Sequence, residues 1–508
     1  MLARTYSLTH LGAKPSRITI ETDVSAGLPG ITIVGLATKS VEESRERLRS
    51  AIRNSGLDFP PRKTVINLAP GDIAKHGTGF ELAMALGILA ATKQIQPIPE
   101  NLCCAAELAL DGSLRPAHDV LATILSARHA GYSQLIIDAD TQLEIQAPDG
   151  IEILRASSLR DVYDWLVSKK ALSKYTYDVK NTTSDTRYKP IDFAHIRGLV
   201  TAKRALEIAA AGGHNLLLSG PPGSGKTLLA QALPGILPAL EPTEQETVHY
   251  LHSLAGETVL SHRRPLRAPH HTSSDVALVG GGQIPRPGEI TLAHRGVLFL
   301  DELPEFRRSV LEALRQPLED GCIRIARAQT TTTYPAEFIL IAAMNPCPCG
   351  FRGSMQQACS CTPGAAQRYA NRLSGPLLDR FDLQCFISEP SIESPYQPSP
   401  AMEPTQTIRQ RVIRARNVQS RRFKHEDQLL NAHIQAAELT NYCKLTDQAK
   451  TMIEDILAQG RLSQRALSRC VKVARTIADL DDSDIIQHQH LAEAFQFRLT
   501  AARSQQLV

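Results

Sequence analysis

LLLSGPPGSGKTLLAQAL, Leu216 to Leu233, decides the fold. An apolar run of strand type enters a Gly-rich turn, and a helix-forming run leaves it. Gly220, Pro221, Pro222, Gly223, Ser224, Gly225, Lys226 and Thr227 match G-x-x-x-x-G-K-T. Glycines let backbone N–H groups curl around a phosphate without a Cβ in the way, and the following helix N-terminus adds favourable partial charge. The spacing places Lys226 at the β- and γ-phosphates and Thr227 on Mg²⁺. It predicts an α/β P-loop core that binds ATP with Mg²⁺.

Downstream runs extend this core. GVLFLDE, Gly296 to Glu302, is an apolar strand ending in two carboxylates. Asp301 is placed to support Mg²⁺ and Glu302 to polarise the attacking water. FILIAAMNP, Phe338 to Pro346, is a third apolar strand, with Asn345 at its tip. Third in this order, it looks like the sensor 1 strand of an AAA+ ATPase. SGPLLDRFDL carries Arg380, at the place where ring ATPases extend an arginine into a neighbour's site. LSQRALSRCVKVARTIADL is an amphipathic lid helix with Arg465 near its start, resembling sensor 2. Each arginine could instead serve an ordinary surface ion pair.

The 508 residues are 43% apolar, enough for several cored domains. With 56 basic and 52 acidic residues the formal charge is +4, which permits a nucleic-acid partner without demanding one. The N-terminal stretch lacks a signal-peptide pattern, and apolar runs such as LAMALGILAA are too short to cross a bilayer. The expectation is a cytoplasmic protein with no membrane partner, whose cysteines are reduced thiols or metal ligands. The pattern divides the chain into an α/β domain at 1–166, a polar linker at 167–189 and the P-loop core at 190–388. A Pro-rich linker at 389–404 and a helical region at 405–508 follow. The fold class is α/β multidomain.

Long strings now carry a resemblance. AKRALEIAAAGGHNLLLSGPPGSGKT, PHHTSSDVALVGGGQIPRPGEITLAHRGVLFLDELPEF and AAMNPCPCG resemble the magnesium-chelatase-like AAA+ proteins of the YifB/ComM family. So do GLPGITIVGLATKSVEESRERLRSAIRNSGLDFP and NLAPGDIAKHGTGFELAMALGILAA in the first domain. The resemblance covers nearly the whole chain. It implies a homohexameric ATPase that drives branch migration on single-stranded and branched DNA, with recombination proteins as partners, during natural transformation. The alternative it implies is an ATP-driven remodeller of a protein partner, like the ATPase subunit of magnesium chelatase.

Two inserts carry the DNA expectation. VALVGGGQIPRPGEITLAH, Val276 to His294, has β-character on both sides of a Gly/Pro tip and looks like the helix-2 insert of the clade that includes the MCM helicases. GCIRIARAQTTTTYPAEF, Gly321 to Phe338, looks like its pre-sensor 1 hairpin. Arg286, Arg324 and Arg327 are the candidate phosphate contacts, with subunit contacts as the competing role. The basic run TIRQRVIRARNVQSRRFK divides evenly between DNA binding and pairing with acidic neighbours.

The first domain resembles the fold shared by the Lon protease domain and the GHMP kinases. Gly79 stands where the Lon serine belongs, and Leu121 stands at the lysine position. Thr78 lacks an activating base in register, so the expectation is no peptidase activity. Cys347, Cys349, Cys359 and Cys361 follow C-x-C, a nine-residue spacer, then C-x-C. Four thiolates suit a structural zinc with no position left for water. The competing reading is four inert thiols.

Overall fold

In the computed structural model the described residues are 1–11, 14–36, 39–73, 75, 77–117, 120–141, 150–176, 191–257, 263–282, 285–326, 331–354, 357–387, 403–424, 430–459 and 462–506. The Pro-rich linker and Arg327 therefore lie outside the described residues, apart from 403–404.

The first domain has two sheets. One runs in the order Leu2–Leu11, Lys14–Ser25, Lys63–Ala69, Gly30–Val34, and the other Leu114–Pro116, Leu102–Leu108, Gln134–Asp138, Glu152–Ala156, Ser173–Lys174. The helix Glu81–Ala91 is apolar all round after its first residue and buried at every position, as a helix packed against both sheets must be. Its one charged residue, Glu81, is satisfied by Ser44 Oγ at 2.6 Å, Arg47 Nε at 2.7 Å and the Leu108 N–H at 2.9 Å. At Gly87 a Cβ would lie 2.5 Å from Thr22 Oγ1, so only glycine lets helix and sheet approach this closely.

Two expectations for this domain change. Ser173–Lys174, placed in the polar linker, pairs with Leu154 and Arg155 as an edge strand. Short polar edge strands lack the apolar alternation that marks a strand in sequence. Thr78 does have a carboxylate partner: its hydroxyl donates to Glu107 Oε2 at 2.5 Å. Glu107 comes from the strand Leu102–Leu108, so the pairing is tertiary and not visible from local register.

The core that follows is a five-stranded parallel sheet in the order Leu266–Arg267, Val297–Leu300, Ile339–Met344, Leu216–Ser219, Leu383–Phe386. The Val297–Leu300 strand is wholly buried, as expected for parallel strands covered on both faces. Gly220, Asp301 and Asn345 each follow the C-terminal end of a neighbouring strand, which gathers them at one sheet edge.

The helices Thr405–Arg422, Asp447–Ala458, Gln464–Leu480 and His488–Gln506 form the C-terminal region. Ile408, Val412, Val473, Ile477 and Phe495 belong to the same buried cluster as Leu216, Leu218, Leu229 and Ile341. The start of the core is clasped to this region, with the Thr405 N–H donating to Asp192 Oδ1 and the Phe193 N–H to Thr405 Oγ1, both at 2.9 Å. In the basic helix, Arg411 pairs with Glu207 and Glu403, Arg416 donates to the Ala210 carbonyl, and Arg422 pairs with Asp479. Those three arginines are used by the fold itself.

The first domain docks on the helix Pro242–Leu254 through the helix Val120–Ala127. The Ala122 N–H donates to Ser253 Oγ at 3.0 Å. His10 lies 3.2 Å from both the Tyr250 hydroxyl and Thr123 Oγ1. Burial pushes the His10 ring down to about 4, so it sits there neutral.

Candidate nucleotide site

The turn after Leu216–Ser219 holds Gly223 and Gly225 at positive φ, +73° and +87°, where a side chain would be strained. Lys226 opens the helix Lys226–Ile236 and is buried. Its ammonium donates to the Gly220 and Pro221 carbonyls at 2.8 Å each and lies 3.3 Å from Asn345 Oδ1. Burial lowers its pKa, against the opposing pull of Asp301 and Glu302.

Thr227 Oγ1 donates to Asp301 Oδ2 at 2.8 Å. A hydroxyl and a carboxylate oxygen so close, beside a phosphate cradle, fit an octahedral Mg²⁺ that keeps several waters. Glu302 is exposed, has φ +52°, and is held by His271 Nδ1 at 3.3 Å. His271 follows the strand Leu266–Arg267, next to the Asp301 strand, and stacks on His270 at 4.2 Å. Sequence reading missed His271. The only signal was two adjacent histidines before a Ser/Thr-rich turn.

Arg380 and Arg465 stand apart from this edge. Arg380 precedes Leu383–Phe386, whose register pairs Leu383 with Leu216. It therefore lies beyond the opposite end of the sheet from Gly220, with the four-residue strand, about 13 Å at the usual rise, between them. Its side chain is 4% exposed and pairs with Glu319, while Arg465 reaches the same Glu319 oxygen at 3.2 Å. Burial lowers the Arg380 pKa, against the pull of Glu319, and the positive charges of Arg315, Arg465 and Arg469 add to the lowering. Two of the expected site arginines are thus together, but away from their own Lys226.

The hairpin residues are also brought together. Cys322–Ala326 and Thr331–Pro335 pair antiparallel, with Arg324 exposed opposite Thr333. In the other insert, among the described residues, only Gly280–Gly281 and Arg286–Pro287 pair; Asp275–Val279 and Glu289–Leu292 are short helices. That corrects the expected β-character: Ser274 caps the first helix by accepting from the Ala277 N–H, and the β-branched residues are absorbed into it. Tyr334 of one hairpin donates to the Pro285 carbonyl of the other at 2.7 Å. Arg286 is exposed on the second hairpin.

The four cysteine sulfurs lie within 4.8 Å of one another. Cys347 is 3.4 Å from Cys349 and 3.6 Å from Cys359, and Cys349 is 3.5 Å from Cys359. A tetrahedral zinc with Zn–S of 2.3 Å demands S–S edges of about 3.8 Å. These sulfurs fit that ion and are far too separated for disulfides.

Among the described residues no helix is long and apolar enough to cross a membrane. Three family models cover the chain: "Magnesium chelatase, subunit ChlI" at residues 192–394, "Subunit ChlI of Mg-chelatase" at 20–141, and "Magnesium chelatase, subunit ChlI C-terminal" at 402–498. The chain is 44% identical to the protein YifB of Escherichia coli, over 96% of this chain and 95% of YifB. It is 42% identical to the competence protein ComM of Haemophilus influenzae, over 100% of this chain and 99% of ComM. A stretch of 138 residues is 30% identical to Lon protease 2 of Bacillus subtilis, covering 26% of this chain and 25% of that protease. The P-loop geometry, the three family models and full-length identity of this size together make the chain a member of the YifB/ComM family of magnesium-chelatase-like AAA+ proteins.

Proposed function

We propose that the protein is a ring-forming ATPase that moves along branched DNA, a branch-migration helicase that promotes integration of incoming single strands by homologous recombination. The observation that carries this reading is the Tyr334–Pro285 hydrogen bond, which joins two hairpins that present Arg324 and Arg286 to the outside. Two braced basic hairpins suit a moving grip on a phosphate backbone. The full-length similarity to a competence protein supports the same reading.

In this proposal the P-loop N–H groups and Lys226 bind the phosphates of ATP. Mg²⁺, when held by Thr227 and Asp301, offsets their charge. Glu302 takes the proton of the attacking water, and Asn345 orients that water. Arg380 and Arg465 act on a neighbour's nucleotide, because their own lies at the far end of the sheet. Glu319 holds both until the neighbour's phosphate competes for them. Six copies in a homohexameric ring would complete every site. The first domain, Lon- and GHMP-like in this reading, has no peptidase role: Gly79 and Leu121 replace both members of the Lon dyad. The four cysteines hold a structural zinc.

The family models also match the ATPase subunit of magnesium chelatase, which favours a second reading, an ATP-driven remodeller of a protein partner. ATP hydrolysis with and without forked and four-way DNA separates the two. Stimulation and strand unwinding that vanish in Lys226→Ala support the DNA motor; no effect of any DNA on either activity sinks it.

A further inference from the structure

The cysteine turn touches the nucleotide loop directly. Gly350 is the first residue of the spacer, at φ +85°, and its N–H donates to the Cys347 carbonyl at 2.9 Å. The Cys349 N–H donates to Cys361 Sγ at 3.3 Å, which ties the two C-x-C ends together. A Cβ on Gly350 would lie 2.6 Å from Pro222 Cδ and 2.7 Å from Pro222 Cγ. Pro222 is the third residue of the P-loop. Gly350 is thus required twice, for the turn and for the approach of Pro222.

The same segment braces the loop from beneath. The Gly220 N–H donates to the Met344 carbonyl at 3.2 Å, and Asn345 Oδ1 is 3.3 Å from Lys226 Nζ. Only Pro346 separates Asn345 from the first cysteine. From Met344 to Gly350 the chain therefore runs along the P-loop at three successive contacts: Met344 on Gly220, Asn345 on Lys226 and Gly350 on Pro222.

We propose that one zinc ion on Cys347, Cys349, Cys359 and Cys361 holds this turn as a wall of the nucleotide site, so that zinc loading sets the affinity for ATP. The proposal rests on the reading of Gly220–Thr227 as the ATP site and is independent of DNA. Binding converts four thiols and Zn²⁺ into a tetrathiolate complex and releases four protons to solvent. Without the ion, the thiols of Cys347, Cys349 and Cys359, 3.4 to 3.6 Å apart, and that of Cys361 have no common centre, and the Gly350 turn is free to leave Pro222. The P-loop then loses its outer support, and its N–H groups must be ordered by the nucleotide itself, at a cost in affinity.

The test uses the full chain and three readouts: zinc content by elemental analysis, affinity for a fluorescent ATP analogue by titration, and melting by circular dichroism. The expected result is one zinc per chain, lost in Cys349→Ser, with affinity for the analogue weakened roughly tenfold. Gly350→Ala and Pro222→Ala attack the contact from either side. Each should keep the zinc and still bind the analogue more weakly, so a Cys349→Ser that fails to fold leaves two further variants to decide. Wild-type protein that binds the analogue tightly with no zinc overturns the metal site. Zinc-free or contact variants that bind as tightly as wild type overturn the wall. Lys226→Ala is the separate control: if it too binds normally, the ATP-site reading fails instead.

Discussion

His271 Nδ1 lies 3.3 Å from Glu302 Oε2, which ties the glutamate proposed to activate water to the end of the neighbouring strand. His271 is itself fixed by its stack on His270 and its edge contact with Phe306, at centroid distances of 4.2 and 6.4 Å. The Glu302 side chain is half exposed and its φ is +52°. His271→Ala should lower kcat for ATP hydrolysis about tenfold and leave KM for ATP unchanged, because Glu302 acts after binding. His271→Gln, which can still donate a hydrogen bond, should recover part of the loss. Steady-state ATPase assays check both; a changed KM with kcat intact would remove His271 from this role.

Lys226 and Glu302 should separate binding from chemistry. Lys226→Ala removes the one buried ammonium in the loop and should abolish measurable nucleotide affinity. Glu302→Gln should bind nucleotide normally and lose about 10²- to 10⁴-fold in turnover, the usual contribution of a general base. Equilibrium titration alongside single-turnover hydrolysis distinguishes the two.

Arg380→Ala should reduce turnover by about 10³-fold or more if the guanidinium serves as a finger. Because Arg380 sits at the far end of its own sheet, activity should return when this variant is mixed with Lys226→Ala subunits. Each variant then supplies what the other lacks. No recovery on mixing, with assembly verified by light scattering, would place Arg380 in a purely internal ion pair with Glu319.

Arg324→Ala should weaken DNA binding about equally for every sequence and reduce the salt slope of log affinity by about one unit. Arg286→Ala should do the same from the other hairpin. Fluorescence anisotropy across a salt series measures both. An unchanged slope would assign these side chains to subunit contacts.

Glu257 gives a pH dependence. The hydrogen bond from the His252 ring, with the Arg267 guanidinium beside it, holds its carboxyl down at about 2 against burial, from an ordinary 4.5. A carboxyl with a depressed folded pKa contributes stability that is fully present above the unfolded value and is lost as pH falls through the folded one. Glu257→Gln should therefore lower Tm at neutral pH, and the gap to wild type should close between about 4.5 and 2. Thermal melts across that range check the sign.

What the sequence made legible was local. The P-loop, the Asp301 strand and the Asn345 strand each carry their meaning within ten residues or so, and the sheet places all three at one edge. The four cysteines were legible for the same reason. The Glu319 partnership was not, because Arg380 and Arg465 lie 61 and 146 residues away from it. His271 with Glu302, Thr78 with Glu107 and Gly350 with Pro222 are likewise contacts between separate elements. The strand Leu2–Leu11 buries both faces, Tyr6 and Leu8 on one and Thr5, Ser7 and Thr9 on the other, and the alternation in sequence would have assigned the second face to solvent. In the basic run Arg409–Lys424, Arg411 pairs with Glu207 and Glu403 and Arg422 with Asp479, and Glu207 and Asp479 lie far along the chain.

The common core of sheet and C-terminal helices has a mechanical consequence. Val473 and Ile477 share one buried cluster with Leu216 and Ile341, so bending the helical region away from the sheet would open apolar surface to water. In the ring proposed above, that shared cluster would place compliance at the borders between subunits, and each ATP turnover would act as torque on a single block.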